Sequence, residues 1–102
     1  MKKLSFPKSK IKVLLLEKLD KSAKDLFEKE GYDVETHDGS LSEDNLIDKI
    51  KKVSILGIRS KTHISKKIIQ SSNRLLSIGA FCIGTNQINL NVCAKAGITV
   101  FN

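Results

Sequence analysis

The sequence predicts an α/β domain in which helices cover both faces of an open, five-stranded parallel sheet. Residues 11–17 (IKVLLLE) form an almost unbroken aliphatic run, which is typical of a strand buried on both faces. Four further strand-like segments follow, and a short segment with helix caps and helical spacing separates each from the next. Strands that alternate with helices through short links are typical of a parallel sheet, here most simply in the flavodoxin-like order 2-1-3-4-5. In such a sheet ligands bind beyond the carboxyl ends of the strands.

The first helix is predicted from its two ends. Asp20 stands where an N-cap is expected after the first strand, and Gly31 supplies the left-handed residue that ends the helix. The second strand then occupies residues 33–37 (DVETH), before a turn at Asp38 and Gly39. The helix residues predicted to face inward are Ala23, Leu26 and Phe27.

The later elements carry similar signals. Leu41 and Leu46 bracket Ser42 as a hydrophobic staple around an N-cap, which begins the second helix. Ser65 and Asn89 are the expected N-caps of the third and fourth helices. The remaining strands are predicted at residues 53–58, 75–78 and 98–101.

Charge divides the chain into three parts, and the net charge is +7. Residues 1–16 carry five lysines and no acid, residues 17–48 contain all eleven carboxylates, and residues 49–102 carry nine Lys or Arg without Asp or Glu. Residues 1–10 are predicted as a basic N-terminal tail ahead of one domain over residues 11–102. The last part lacks a carboxylate for acid–base catalysis or an oxygen-rich metal site, but it creates a field that attracts anions.

Several function classes lack their motif in this sequence. There is no G-x-G-x-x-G or Walker A motif, and His37 and His63 stand apart from other metal ligands. Cys82 and Cys93 lack ligand spacing, so we expect buried, reduced thiols. No leader or membrane-spanning segment is evident, which predicts a soluble, cytoplasmic protein. Lysines without interleaved aromatic residues leave nucleic-acid binding a minor hypothesis.

Potential anion donors cluster at the carboxyl edge of the predicted sheet. Residues 57–63 (GIRSKTH) place Arg59, Ser60 and Lys61 directly after the third strand, with no carboxylate nearby in sequence. Arginine offers a planar fork, serine a hydroxyl and lysine a point charge, which together suit a small acid with two charged ends. A plain surface arginine is an equally good interpretation. The amides of residues 79–84 could add donors, although a tight crossover loop explains those glycines as well.

Four segments carry a resemblance to a known family. They are residues 11–17 (I-x-x-L-L-x-E), 57–65 (GIRSKTHIS), 77–90 (SIGAFCIGTNQINL) and 94–102 (AKAGITVFN). Together they closely resemble the N-terminal part of the bacterial D-3-phosphoglycerate dehydrogenases, a branch of the NAD-dependent D-2-hydroxyacid dehydrogenases. The likeness runs from about Lys10 to Asn102, and the GAFCIGTNQ segment is specific to the phosphoglycerate branch.

The resemblance implies an enzyme that oxidises 3-phosphoglycerate to 3-phosphohydroxypyruvate with NAD, in L-serine synthesis, and that is a homo-oligomer at full length. It implies that Arg59, Ser60 and Lys61 meet the carboxylate and phosphate of the substrate. It also implies that Asn102 begins the crossover into a nucleotide-binding domain. The residues expected to line the same cleft are Ala80, Phe81, Cys82 and Ile83.

The chain departs from the family pattern at several points. Lys61 stands where arginine is common, so a two-point grip becomes a single charge contact. Asp38 replaces a lysine, and Asn89 replaces an aspartate that also caps a helix. The family's NAD site and catalytic Arg, Glu and His lie beyond Asn102, where the chain stops directly after a strand, which we interpret as a truncation. We therefore expect no catalysis, weak substrate binding and hardly any NAD binding by this segment alone.

Two alternatives stay open on the sequence. The first is a stand-alone anion-binding or protein-interaction module that has lost catalysis. The second is a basic nucleic-acid binder, whose affinity would depend steeply on salt.

Overall fold

Within residues 11–81, 84 and 86–101, which the computed structural model describes, five strands alternate with four helices. The elements are β1 (Lys12–Leu15), α1 (Lys21–Lys29), β2 (Asp33–Thr36), α2 (Glu43–Ile50), β3 (Ile55–Ile58), α3 (Lys66–Ser71), β4 (Ser77–Ala80), α4 (Leu90–Lys95) and β5 (Thr99–Phe101). Every strand pair is parallel, and the strand order is β2-β1-β3-β4-β5. The predicted fold class and strand order are confirmed.

The two faces of the sheet are covered unequally. One face presents a paired row of aliphatic residues: Leu14, Leu56, Ile78 and Val100. On this face α2, α3 and α4 pack side by side and bury the main core. The other face presents the row Leu15, Gly57, Gly79 and Phe101. Because crossovers between parallel strands are right-handed, α1, which leads from β1 to the edge strand β2, lies on this second face.

Polar side chains begin these four helices at the predicted positions. Each accepts a hydrogen bond from a backbone N–H in the first turn, which satisfies a donor that the helix itself leaves unpaired. The N-caps and their donors are Asp20 with Ser22, Ser42 with Asn45, Ser65 with Ile68, and Asn89 with Val92. Gly31 follows α1 with a φ of 94°, as its predicted role requires.

The prediction that Leu26 faces inward is wrong. This side chain is 61% exposed, whereas its neighbour Phe27 is half-buried and meets the ring of Tyr32 edge-on at 5.7 Å. The physical reason is that α1 packs mainly against the edge strand β2, so its contact stripe is narrow. A stripe of that width includes Phe27 and leaves the adjacent position in solvent.

Strand β4 begins two residues later than predicted. Ser77 is the first residue paired with β3, opposite Ile55, and the amide of Leu76 donates to the carbonyl of Ser54 at 2.7 Å before the ladder starts. An aliphatic run alone does not define where pairing begins. The whole strand is shifted along the chain, so β4 ends at Ala80 and not at the predicted residue 78.

The sequence predicts that both cysteines are buried, reduced thiols and that residues 1–10 form a basic tail. Cys93 is a free thiol, 1% exposed in the core, as expected, and burial raises its pKa. Cys82 and the tail at residues 1–10 lie outside the described residues.

Candidate anion-binding site

The chain leaves β1 in a backbone conformation that residues other than glycine rarely adopt. Glu17 and Lys18 have φ values of 63° and 51°, in the left-handed region. The amide of Glu17 donates to the carbonyl of Gly39 at 3.0 Å, and that of Lys18 donates to the carbonyl of His37 at 3.2 Å. This turn holds Glu17, which is 8% exposed, at the carboxyl edge of the sheet.

The carboxylate of Glu17 binds the loop that follows β3, residues 59–62, which we call the 59–62 loop. Its Oε2 accepts the N–H of Arg59 at 2.7 Å, the N–H of Thr62 at 3.2 Å and the hydroxyl of Thr62 at 2.7 Å. Its Oε1 accepts the N–H of Lys61 at 2.8 Å. The loop has no ladder or helix of its own, so one buried side chain satisfies most of its backbone donors.

A second contact holds the 59–62 loop from the side of β4. The amide group of Gln87 donates to the carbonyl of Arg59 at 3.2 Å. The carbonyl of Gln87 accepts from the amide of Ile64 at 2.8 Å, and the carbonyl of Ile64 accepts from the amide of Asn89 at 3.1 Å. The loop is therefore fixed by Glu17, which follows β1, on one side and by Gln87 on the other.

A cavity of about 560 Å³ opens beside the 59–62 loop. Its lining residues are Glu17, Asp38, Gly39, Ser40, Arg59, Ser60 and Lys61. The volume lies in the range of small-molecule sites in proteins. Arg59 and Lys61 make no ion pair with a carboxylate of the described residues, so both charges can serve a bound anion.

Glu17 is charged at neutral pH although it is buried. Burial raises its pKa, but the hydrogen bonds from the Thr62 hydroxyl and from the amides of Lys61, Arg59 and Thr62 together outweigh burial and hold the pKa below 4.5. With its lone pairs engaged by four donors, this carboxylate anchors the loop rather than acting as a general base.

The structure brings some of the predicted site residues to the cavity and places others elsewhere. Arg59, Ser60 and Lys61 are exposed and line one cavity. Ala80 departs from the expectation, because β4 extends to it and its side chain, 2% exposed, belongs to the core. The predicted site residues that lie outside the described residues are Cys82, Ile83 and Asn102.

Phe81 also lies away from the cavity-lining residues. Its ring rests on the second face of the sheet, where a Cβ added at Gly57 or Gly79 would approach it to 3.4 and 3.2 Å. The side chain is 49% exposed. In this structure Phe81 packs on two sheet glycines and does not line the cavity.

Sequence reasoning places Glu17 and Thr62 at the carboxyl edge of the sheet, but it missed the contact between them that anchors the loop. It found no carboxylate near Arg59 because the contact spans 42 residues of sequence. A usable signal was present, since a carboxylate that closes a buried aliphatic strand requires a partner.

Two other kinds of site are absent from the part of the chain that the structure describes. No three potential metal ligands of the His, Cys, Asp or Glu type come together there. None of the described helices has the length and apolar character needed to cross a membrane.

Cationic and hydroxyl groups therefore stand at the carboxyl edge of a doubly wound parallel sheet, which is the edge where α/β proteins of this class bind ligands. The family model described as "D-isomer specific 2-hydroxyacid dehydrogenase, catalytic domain" matches residues 13–102. The chain therefore belongs to the D-isomer specific 2-hydroxyacid dehydrogenases.

Within that family the chain is similar to proteins named D-3-phosphoglycerate dehydrogenase. It is 52% identical over 98 residues to the one from Dictyostelium discoideum, covering 96% of this chain and 24% of that protein. It is 42% identical over 103 residues to the one from Escherichia coli strain K12, covering 100% of this chain and 25% of that protein. The chain thus spans about a quarter of the length of these relatives.

The fold is also found in a solved structure of NAD⁺-bound 3-phosphoglycerate dehydrogenase from Entamoeba histolytica. The TM-score is 0.77 at 23% identity, over 88% of this chain and 32% of that one. At this identity the likeness concerns the fold.

Proposed function

We propose that this chain is the substrate-binding lobe of an NAD-dependent D-3-phosphoglycerate dehydrogenase, which oxidises 3-phosphoglycerate to 3-phosphohydroxypyruvate in L-serine biosynthesis. One observation carries the proposal: Arg59 and Lys61 flank Ser60 on the wall of one cavity. Neither cation forms an ion pair with a carboxylate in the part of the chain that the structure describes. Relatives at 52% and 42% identity are named D-3-phosphoglycerate dehydrogenase, which supports the choice of substrate.

The chemistry of the cavity suits this substrate. 3-Phosphoglycerate carries a carboxylate at one end and a phosphate at the other, so it needs donors and positive charge at two points. The guanidinium of Arg59 can form two parallel hydrogen bonds to either group, while Lys61 contributes a compact charge and Ser60 a hydroxyl. The contribution of these residues is binding and orientation of the acid.

The described residues do not fit a dinucleotide site. Such a site uses a glycine-rich turn between the first strand and its helix, where the backbone approaches the pyrophosphate closely. Here residues 16–20 contain no glycine, and the buried Glu17 occupies this turn. We therefore assign no hydride-transfer step to these residues and expect NAD to bind this chain hardly at all.

We propose that the full-length enzyme is cytoplasmic and, as the family resemblance implies, a homo-oligomer. The alternative is a stand-alone anion-binding or protein-interaction module. Both interpretations share the cavity, and they differ in whether a longer protein that contains this chain oxidises 3-phosphoglycerate.

Calorimetric titration of the chain with 3-phosphoglycerate tests the proposal. We expect a Kd on the order of 1 mM, since only one wall of the cleft is present. Arg59→Ala should weaken binding about tenfold, because hydrogen bonds to charged groups contribute roughly 1.5–3 kcal/mol.

Arg74→Ala is the matched control, because Arg74 is an exposed arginine that follows α3 and does not line the cavity. Equal losses in the two variants, or tight binding of NAD, would contradict the proposal. Strongly salt-dependent binding to RNA or DNA, with none to the acid, would favour the nucleic-acid alternative.

A further inference from the structure

We propose that Glu17 is a positioning residue for the anion site: its carboxylate sets the backbone of the 59–62 loop so that Arg59 and Lys61 present their charges to one cavity. The inference rests on the proposed function, because it concerns how that same site holds its anion. Glu17 does not itself bind the anion, since two negative charges repel each other.

The two oxygens of Glu17 hold different parts of the loop. Oε2 accepts from Arg59 and Thr62, whereas Oε1 accepts from Lys61 alone. The backbones of the two cationic residues are therefore tied to opposite oxygens of one planar group. The fixed geometry of that group sets the spacing between the two amides.

The backbone at Glu17 supports a role beyond simple packing. Its left-handed φ of 63° is unfavourable for any residue with a Cβ, and glycine would relieve it. A glycine would also remove the acceptor for four donors of the loop, which are three backbone amides and the hydroxyl of Thr62. Strain of this kind persists where the surrounding contacts compensate for it, and here it lies directly at the cavity.

Electrostatics and positioning make opposite predictions for this residue. Glu17 lines the cavity, and hydrogen bonding keeps its pKa low enough for the negative charge to be present at neutral pH. If charge repulsion dominates, removing the charge strengthens anion binding. If positioning dominates, removing the charge weakens it. The sign of the change therefore distinguishes the two roles.

Glu17→Gln separates the two oxygens. The new amide has one acceptor, and it keeps most hydrogen bonds when that oxygen takes the place of Oε2, beside Arg59 and Thr62. Its NH₂ group then faces the amide of Lys61, so two donors oppose each other. The substitution is expected to release Lys61 while Arg59 stays bound.

The test is an NMR titration of the 102-residue chain with 3-phosphoglycerate at neutral pH. We expect Glu17→Gln to weaken binding about tenfold, against the direction of its charge change. In a Lys61→Ala background the same substitution should have much less effect, because the two residues act through one contact. Glu28→Gln is the control, since it makes the same charge change on the exposed side of α1, away from the cavity.

Equal or tighter binding by Glu17→Gln overturns the inference, and so does full additivity with Lys61→Ala. If Glu17→Gln does not fold, Glu17→Asp replaces it in the same titration. Glu17→Asp keeps the charge but is one methylene shorter, so it cannot reach all four donors, and we expect an intermediate loss. Affinity equal to that of the unsubstituted chain would overturn the inference for this variant too.

Failure of the proposed function has a different signature. If the unsubstituted chain binds neither 3-phosphoglycerate nor inorganic phosphate, the proposed function fails, and the amide proton of Lys61 then tests the inference without ligand. A carboxylate acceptor shifts an amide proton downfield, so Glu17→Gln should move the Lys61 resonance upfield and leave that of Arg59 nearly in place. An unchanged Lys61 resonance would overturn the inference on its own.

Discussion

A single side chain, Glu17, combines strain, burial and charge at the end of the first strand. Its left-handed backbone costs about 1–3 kcal/mol, as non-glycine residues in sparsely populated conformations do. Hydrogen bonds to a charged acceptor contribute roughly 1.5–3 kcal/mol each, and Glu17 accepts four. The contacts therefore outweigh the strain, and the residue is stable in a conformation that its backbone alone disfavours.

The lowered pKa of Glu17 makes its contribution to stability dependent on pH. A carboxylate whose folded-state pKa lies below 4.5 stabilises the fold fully above that pH, and the contribution is lost as pH falls through the folded-state pKa. We predict that the gap in unfolding free energy between the unsubstituted chain and Glu17→Gln is largest near neutral pH. Urea unfolding at decreasing pH should show the gap closing in acid.

The control for this prediction is Glu28→Gln on the exposed side of α1, which touches none of the loop. A gap for Glu17→Gln that is the same at every pH would show that the carboxylate gains nothing from its four donors.

Two glycines on the second face of the sheet make room for side chains that lie over the strands. Gly57 in β3 and Gly79 in β4 are paired neighbours, and both lie under side chains from other elements. A Cβ added at Gly57 would approach Leu15 to 2.8 Å and Leu19 to 2.9 Å, closer than Cβ contacts are found. The side chains of Leu15 and Leu19 can thus lie over β3 because residue 57 has no side chain.

We predict that Gly57→Ala destabilises the fold by about 1 kcal/mol, at the low end of the cost of overpacking, because the Cδ atoms of Leu15 and Leu19 must move to make room for the new methyl group. The change in chemical denaturation midpoint measures the effect. Gly39→Ala is the matched control, because a Cβ there meets nothing within 4 Å and its φ is not in the left-handed range. Equal effects at the two positions would show that the contacts around residue 57 do not limit the packing.

Local features were predictable from the sequence, whereas contacts between distant segments were not. The caps at Asp20 and Ser42 depend on a few adjacent residues, and all such caps are found where predicted. The start of β4 depends on which residue pairs with Ile55, and the packing direction of Leu26 depends on how narrow the contact of α1 is. The local pattern at Glu17 indicates only that its carboxylate needs a partner; the partner lies 42 to 45 residues away, so no local pattern identifies it.

At the scale of the whole molecule, folding mixes charges that the sequence separates. The acid-rich part supplies Glu17 and Asp38 to the same cavity that Arg59 and Lys61 line from the acid-free part. One of the two acids is engaged by the loop. The cavity is therefore not uniformly positive, although the chain as a whole carries a charge of +7.

We predict that binding of 3-phosphoglycerate weakens by roughly threefold to tenfold between about 0.05 M and about 0.5 M salt, because screening shortens the reach of exposed charges. D-lactate, which lacks the phosphate, should bind more weakly and respond less to salt. Calorimetry at several salt concentrations measures both responses. Equal salt dependence for the two acids would show that the phosphate gains nothing from Arg59 and Lys61.

The long span between Glu17 and its donors has a consequence for the order of folding. The contact closes a segment that includes α1, β2 and α2, and its ends meet only once β1 lies beside β3. Such non-local parallel pairing is slow compared with helix formation. A newly synthesised or refolding chain should therefore gain its helical content before it acquires a ligand-competent edge, and the capture of an anion would report the last stage of its maturation.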